Sequence, residues 1–159
     1  MANRPTQLTR FTIVLLVVLL GLSFLSGIGL WYVHEQREKM AENPEMELPR
    51  WTSACQTVHG LLNPAISAVF GYLWFAHVRG GWRMKANRKS GGTMTAMMIV
   101  LIATGVGLYY DDARRHFWFT LHLLAGLLIA FVLPTHWFAA RKWVRNLEAG
   151  SATKTDSEC

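Results

Sequence analysis

Residues 117–138 read FWFTLHLLAGLLIAFVLPTHWF, a stretch that contains two histidines and no Asp, Glu, Lys or Arg. About 20 consecutive apolar residues are enough for a helix to cross the hydrocarbon core of a bilayer. An ionisable side chain inside such a helix is costly and indicates a functional role. The stretch therefore predicts a transmembrane helix in which His122 and His136 serve a function.

Three further apolar runs precede this stretch, at Phe11–Val33, Thr57–Val78 and Thr93–Tyr110. The chain of 159 residues is 52% hydrophobic and only 16% charged, whereas soluble domains are about 25% charged. The first run could instead be a signal peptide. It is longer than the apolar region of such peptides, about 7–15 residues, and no A-x-A-like cleavage site follows it. We therefore interpret all four runs as membrane spans.

The predicted fold is all-α, an integral membrane four-helix bundle. Residues 11–145 form the transmembrane domain, residues 1–10 a basic cytoplasmic tail, and residues 146–159 a flexible cytoplasmic tail. This organisation leaves little room for a soluble domain. It predicts a multi-pass protein of the bacterial inner (cytoplasmic) membrane, in contact with membrane lipid.

The distribution of Lys and Arg predicts that both termini lie in the cytoplasm, because positive residues are retained on that side. Eleven basic residues flank the spans on the side of the termini, whereas five lie on the other side beside seven acidic residues. The eleven are Arg4, Arg10, Arg79, Arg83, Lys85, Arg88, Lys89, Arg141, Lys142, Arg145 and Lys154. The net charge of +6 follows from this asymmetry and gives no support to nucleic-acid binding.

Two histidines of the second run, His59 and His77, match His122 and His136 in depth. At 100° per residue the 18-residue separation of the first two is a whole number of helical turns, and the 14-residue separation of the others is about 40° short of one. His59 and His77 therefore lie on one face of the second span, and His122 and His136 lie on one face of the fourth. Because the second and fourth spans run in the same direction, His59 and His122 share the outer half, and His77 and His136 the cytoplasmic half.

Histidines in this arrangement predict axial ligands for two stacked haems, since each iron would take one imidazole from each helix. The two irons would be about 21 Å apart as measured along the fourth span but about 27 Å apart as measured along the second. Helix tilt, or a bend at Pro64, would have to absorb this difference. Gly126, one turn after His122, leaves space for a flat ring. No C-x-x-C-H sequence occurs, so the haems would be non-covalent haem b.

Arginines near these histidines are candidate partners for the anionic haem propionates. Arg79 follows His77, but its position is explained equally well by the retention of positive charge in the cytoplasm. Arg114 and Arg115 lie on the outer side, where few basic residues are expected, and they are predicted to bind an outer propionate.

Two other histidines, His34 and His116, lie at outer boundaries beside charged residues. Both are interpreted as solvated interface residues, although either could replace an assigned ligand if the helical register differs. His116 and His136 are 20 residues apart, which places them on nearly opposite helix faces. His122 is therefore the preferred ligand.

The run TGVGLYYDDARRHFWFTLHLLAGLLIAFVLPTHWFAARK at residues 104–142, with the basic stretch HVRGGWRMKANRKSGG before it, resembles small bacterial four-helix membrane di-haem cytochromes b. The resemblance implies bis-histidine haem b and electron transfer with quinones or cytochromes. Cytochrome subunits of formate dehydrogenases and hydrogenases also draw ligands from their first helix. Here the first span offers only His34, so the scheme is closer to the cytochrome b of quinol–cytochrome c reductases.

The function predicted from these residues is electron transfer across the membrane, between a quinone pool or a cytoplasmic-side donor and a periplasmic cytochrome or other redox subunit. The first alternative is a metal or proton transporter lined by histidines. It would be expected to place acids inside the spans, and the four runs contain no Asp or Glu. The second alternative is a membrane anchor subunit without a cofactor.

Overall fold

Four long helices make up the protein, each long and apolar enough to cross a membrane. The computed structural model describes residues 8–43, 45–85 and 88–156, with the backbone alone for 143–144 and 147–156. The helices are α1 (Arg10–Glu42), α2 (Thr52–Arg83), α3 (Arg88–Tyr110) and α4 (Arg115–Asp156). The all-helical class predicted from the sequence is confirmed, and so is the prediction of four helices long and apolar enough to cross a membrane.

The helices extend beyond the apolar runs that predict them. α1 has 33 residues, about 50 Å at 1.5 Å per residue, so it is about 20 Å, or nearly four turns, longer than a hydrocarbon core of about 30 Å. α4 continues to Asp156, so the predicted tail that starts at residue 146 is helical up to that point. The predicted basic tail at 1–10 lies outside the described residues up to position 7.

The connection between α2 and α3 is shorter than the basic Gly80–Gly92 stretch suggests. Helical structure continues to Arg83 and resumes at Arg88. Lys85 adopts a φ of 56°, a left-handed conformation that stops the helix and reverses the chain. The glycines near this connection therefore lie within helices rather than in a loop.

α2 begins without a side-chain cap. Its cap residue is Trp51, which makes no side-chain hydrogen bond there, and the Thr52 hydroxyl donates to the Pro49 carbonyl at 2.6 Å. Before α4, by contrast, Asp111 acts as a cap, because its carboxylate accepts from the Arg114 amide in the short 3-10 turn that leads into the helix.

The bundle consists of two helical hairpins, α1 with α2 and α3 with α4, each packed extensively along its length. Fewer contacts join α2 to α3 and α1 to α4. α2 and α4 therefore face each other across the interior, which is the place where helix bundles hold cofactors. Many large apolar side chains are exposed, as expected for surfaces that face lipid, and few described residues are fully buried.

Candidate haem-binding site

The histidine rings of α2 and α4 meet in two pairs across the bundle interior. His59 faces His122 with ring centroids 6.2 Å apart, and His77 faces His136 with centroids 6.4 Å apart. We call these the outer pair and the inner pair. They are the two pairings that the sequence predicts from helical depth.

The spacing within each pair suits two imidazoles that share one metal ion. With each coordinating nitrogen about 2 Å from the metal and about 1.1 Å from its own ring centre, collinear rings would have centroids about 6.2 Å apart. Planes inclined by 82° and 89° let both rings approach end-on without stacking. The two pairs therefore have the separation that axial ligation of one iron requires.

His77 reaches its position through a local change in helix type. Residues Trp74–Val78 form a π-helical turn in which the Arg79 amide donates to the Trp74 carbonyl, five residues back. Such a turn inserts one residue into an α-helix and rotates everything beyond it. The premise of an uninterrupted α-helix between His59 and His77 is therefore wrong, and the π turn helps set the direction in which His77 points.

Each of three histidines is hydrogen-bonded at Nδ1 to a neighbouring helix. His59 Nδ1 lies 3.1 Å from both the Ser26 hydroxyl and the Ser23 carbonyl oxygen of α1. His122 Nδ1 lies 2.8 Å from the Thr104 hydroxyl, and His136 Nδ1 lies 3.1 Å from the Ser90 hydroxyl, both on α3. These contacts hold the imidazoles from behind, as the outer-shell partners of metal-bound histidines do.

The hydrogen-bond network also assigns the proton on the outer pair. The Ser23 carbonyl can only accept, so His59 Nδ1 is the donor. The Thr104 hydroxyl donates to the Val100 carbonyl at 2.8 Å, which leaves its oxygen to accept from His122 Nδ1. Both rings therefore keep an unprotonated Nε2, and Nε2 is the atom that binds iron in most histidine sites.

A glycine follows each of these three hydroxyl residues and lies against the supported ring. A Cβ added at Gly27 would be 3.3 Å from His59 Cε1, and one added at Gly91 or Gly105 would be 3.7 Å from Cε1 of His136 or His122. The dipeptides are Ser26-Gly27, Ser90-Gly91 and Thr104-Gly105. In each dipeptide the hydroxyl fixes the ring nitrogen and the glycine leaves room for the ring.

Sequence analysis missed these hydroxyls, although the sequence carries a signal for two of them. Ser90 and Thr104 are 14 residues apart, the same separation as His122 and His136 on the antiparallel partner helix. Burial marks two of the hydroxyl residues, because Ser26 is 6% exposed and Thr104 is 2% exposed. The Ser26 and Thr104 hydroxyls donate to the Leu22 and Val100 carbonyls of their own helices, and each hydroxyl oxygen also lies beside a histidine Nδ1.

The outer pair lines a cavity of about 380 Å³ among the four helices, within the size range of small-molecule sites, about 300–1,000 Å³. Gly126 also lines this cavity, where the sequence predicts space for a flat ring. The remaining wall is largely apolar, including Phe24, Leu108 and Leu127. Such a wall excludes water and suits the hydrophobic face of a porphyrin.

The arginines predicted as propionate partners are engaged elsewhere. Arg114 lies 3.4 Å from an Asp111 carboxylate oxygen, and Arg115 lies 3.3 Å from one of Asp112. The Arg79 guanidinium lies over the Phe75 ring, 5.7 Å from its centroid. All three side chains are exposed.

Neither of the two remaining histidines lies opposite another histidine. The His34 ring packs on Phe119 with centroids 4.0 Å apart, and its Nε2 lies 3.4 Å from Glu38. His116 is exposed. These positions fit the interface role predicted for both.

The donor set fits haem better than it fits a bare metal ion. Within the described ranges no group of three or more His, Cys, Asp and Glu side chains is placed to hold a metal, whereas structural zinc sites take four protein ligands. A porphyrin supplies four nitrogens itself and needs only two axial imidazoles from the protein. Each histidine pair supplies that number.

No protein-family model, curated protein or solved structure matches this chain. The resemblance of residues 104–142 to small di-haem cytochromes b therefore remains an expectation. The paired histidines and their supporting hydroxyls are the observations that bear on function.

Proposed function

We propose that this protein carries electrons across the bacterial inner membrane through two non-covalent b haems, one at the outer pair and one at the inner pair. The observation that carries the proposal is the outer pair, in which the His59 and His122 rings meet at 6.2 Å between centroids and each Nδ1 is hydrogen-bonded to a neighbouring helix. With the proton on Nδ1, each ring would leave its Nε2 free to bind a cationic iron between them.

The residues of the site would have separate roles. His59, His77, His122 and His136 hold the iron, and the hydroxyls behind them hold the Nδ1 proton and fix the ring orientation. The apolar wall keeps water out, and burial of this kind is one of the means by which a protein sets a haem potential. Haem, when bound, supplies one-electron transfer.

Partners follow from the proposed path. Electrons would pass between a quinone pool or a cytoplasmic-side donor at the inner haem and a periplasmic cytochrome or other redox subunit at the outer haem. The chain itself would act as an electron-transfer subunit, within a larger quinone oxidoreductase or beside one.

An absorbance spectrum of the purified protein tests the proposal. Protein from haem-replete cells should be red, show low-spin b-type bands on reduction, and contain two haems per chain. Acidic organic solvent should extract both haems, because no covalent attachment sequence is present.

The control is the variant in which all four paired histidines are replaced by alanine, which should be colourless while remaining helical by circular dichroism. A colourless wild-type protein would reject the proposal. Metal flux into vesicles by that colourless protein would favour the transporter, and the absence of flux would favour the cofactor-free anchor.

The proposed assignment of an outer and an inner haem also requires that both termini lie in the cytoplasm. The expectation rests on eleven basic residues on the side of the termini against five on the other side. A reporter that is active only in the cytoplasm should be active when fused after Cys159. A reporter that is active only in the periplasm should be active when inserted after Glu45. The opposite pattern would invert the assignment of outer and inner haems.

A further inference from the structure

The cavity at the outer pair has one polar side and one apolar side. On the side formed by α2 and α3, its lining includes Gln56, Asn63 and Tyr109. On the side formed by α1 and α4, it is lined by aromatic and aliphatic residues, among them Phe24, Trp31, Phe119 and Leu123. A ligand that enters this cavity therefore meets hydrogen-bonding groups along one edge.

Two of these polar groups reach across the gap between α2 and α3. The Tyr109 hydroxyl lies 3.4 Å from the position that a Cβ would take at Gly60, the residue after His59. The Asn63 side-chain nitrogen lies 3.4 Å from the corresponding position at Gly105, behind His122. Tyr109 therefore lies beside the residue that follows His59, and Asn63 beside the glycine that lies against the His122 ring.

None of the three polar side chains has a hydrogen-bond partner among residues 8–43, 45–85 and 88–156. Gln56 and Tyr109 are exposed, the tyrosine at 72%, and Asn63 is half-buried, so a ligand in the cavity can reach their polar atoms. A bound ligand with acceptor atoms on this edge would supply the hydrogen-bond partners that these side chains do not find among the described residues. Gln56 and Tyr109 lie toward the outer end of the cavity, and Asn63 lies one turn deeper on α2.

A haem has only one polar edge, the one that bears its two carboxylates. That edge prefers the end of the cavity nearer water, because an ionised carboxylate is costly to bury. Arg114 and Arg115 also lie at this end, but each already has an aspartate partner at 3.3–3.4 Å. Neither arginine lines the cavity, whereas Gln56 and Tyr109 do.

We propose, on the basis of the proposed function, that Tyr109 and Gln56 bind the carboxylate edge of the outer haem. The Tyr109 hydroxyl and the Gln56 amide donate to the carboxylate oxygens, which are strong acceptors. The outer haem therefore has its carboxylate edge between α2 and α3 and its apolar edge between α1 and α4. The site selects a tetrapyrrole with free carboxylates.

The test compares Tyr109→Phe with Tyr110→Phe by redox titration of the holoprotein. Tyr110 is the matched control because it is the adjacent tyrosine, 86% exposed, and does not line the cavity. Loss of the Tyr109 donor leaves the carboxylate less compensated, and that negative charge favours ferric haem. We expect the ratio of reduced to oxidised outer haem to fall about three- to tenfold, where tenfold is about 59 mV.

The inner haem should not change in either variant, and Gln56→Leu should shift the outer haem in the same direction as Tyr109→Phe. The decisive arm uses the apoprotein reconstituted with haem dimethyl ester, which lacks the carboxylate charge. With the ester, wild type and Tyr109→Phe should have the same outer midpoint potential.

Three results would overturn the inference while two haems per chain remain bound. The first is equal outer potentials in Tyr109→Phe and Tyr110→Phe. The second is a Tyr109→Phe shift that persists with the ester. The third is a shift in Arg114→Gln or Arg115→Gln but none in Tyr109→Phe, which would restore the arginines as the carboxylate partners. Wild-type protein that binds no haem would instead reject the proposed function.

Discussion

Replacement of His122 by alanine should reduce the haem content from two per chain to one and leave the inner haem bound. His122 and His59 face each other at 6.2 Å between ring centroids, so loss of one imidazole leaves the outer iron with a single axial ligand. The inner pair, His77 with His136, is separate. Haem content after extraction, together with the reduced spectrum, measures the effect.

The complementary variants make the pairing itself testable. His59→Ala should remove the same haem as His122→Ala, and His77→Ala should remove the same haem as His136→Ala. His116→Ala is the control, because this histidine is exposed at the outer boundary and should leave both haems bound. If His59→Ala and His136→Ala removed the same haem, the proposed pairing would be wrong.

Replacement of Thr104 by valine should weaken binding of the outer haem by about 10- to 100-fold, the usual cost of losing an outer-shell partner of a metal ligand. Valine keeps the shape of threonine but removes the hydroxyl that lies 2.8 Å from His122 Nδ1. The His122 ring would then lose the contact that fixes its proton and its orientation. The rate at which the outer haem transfers to an excess of a haem-scavenging protein measures the change.

Two variants separate this role from a loss of packing. Thr104→Ser retains a hydroxyl and should restore most of the outer-haem affinity. Thr93→Val removes an exposed hydroxyl that bonds only to the Lys89 carbonyl of its own helix, and should have no effect. A Thr104→Val protein that holds the outer haem as tightly as wild type, or a serine variant without rescue, would argue against a positioning role.

The four helices could be predicted from the sequence because the physical requirement is local. A segment that crosses a bilayer must be apolar over about 20 residues and must satisfy its own backbone hydrogen bonds, and each run meets the first condition by composition alone. The depth of the histidines could also be predicted, because position along a helix sets depth at about 1.5 Å per residue. His122 and His136 illustrate this on α4.

Helix ends and local helix type could not be predicted in the same way. α2 begins at Thr52 after the cap residue Trp51, which makes no side-chain hydrogen bond, although Thr52 and Ser53 beside it are of the residue types that usually cap helices. The π turn at Trp74–Val78 is defined by a backbone hydrogen bond from Arg79 to Trp74, and the apolar composition of the run does not predict that bond. It redirects His77 all the same, since one inserted residue rotates the rest of the helix.

The sequence by itself determined an all-helical membrane protein with four spans and two pairs of histidines at matching depths. Only the tertiary structure decided which groups lie behind and beside those histidines. Ser26 reaches His59, and Thr104 reaches His122, because α1 packs on α2 and α3 packs on α4. Side-chain packing between segments distant in sequence determines which helices are neighbours. A hydrogen bond between two spans therefore cannot be predicted until the arrangement of the helices is known.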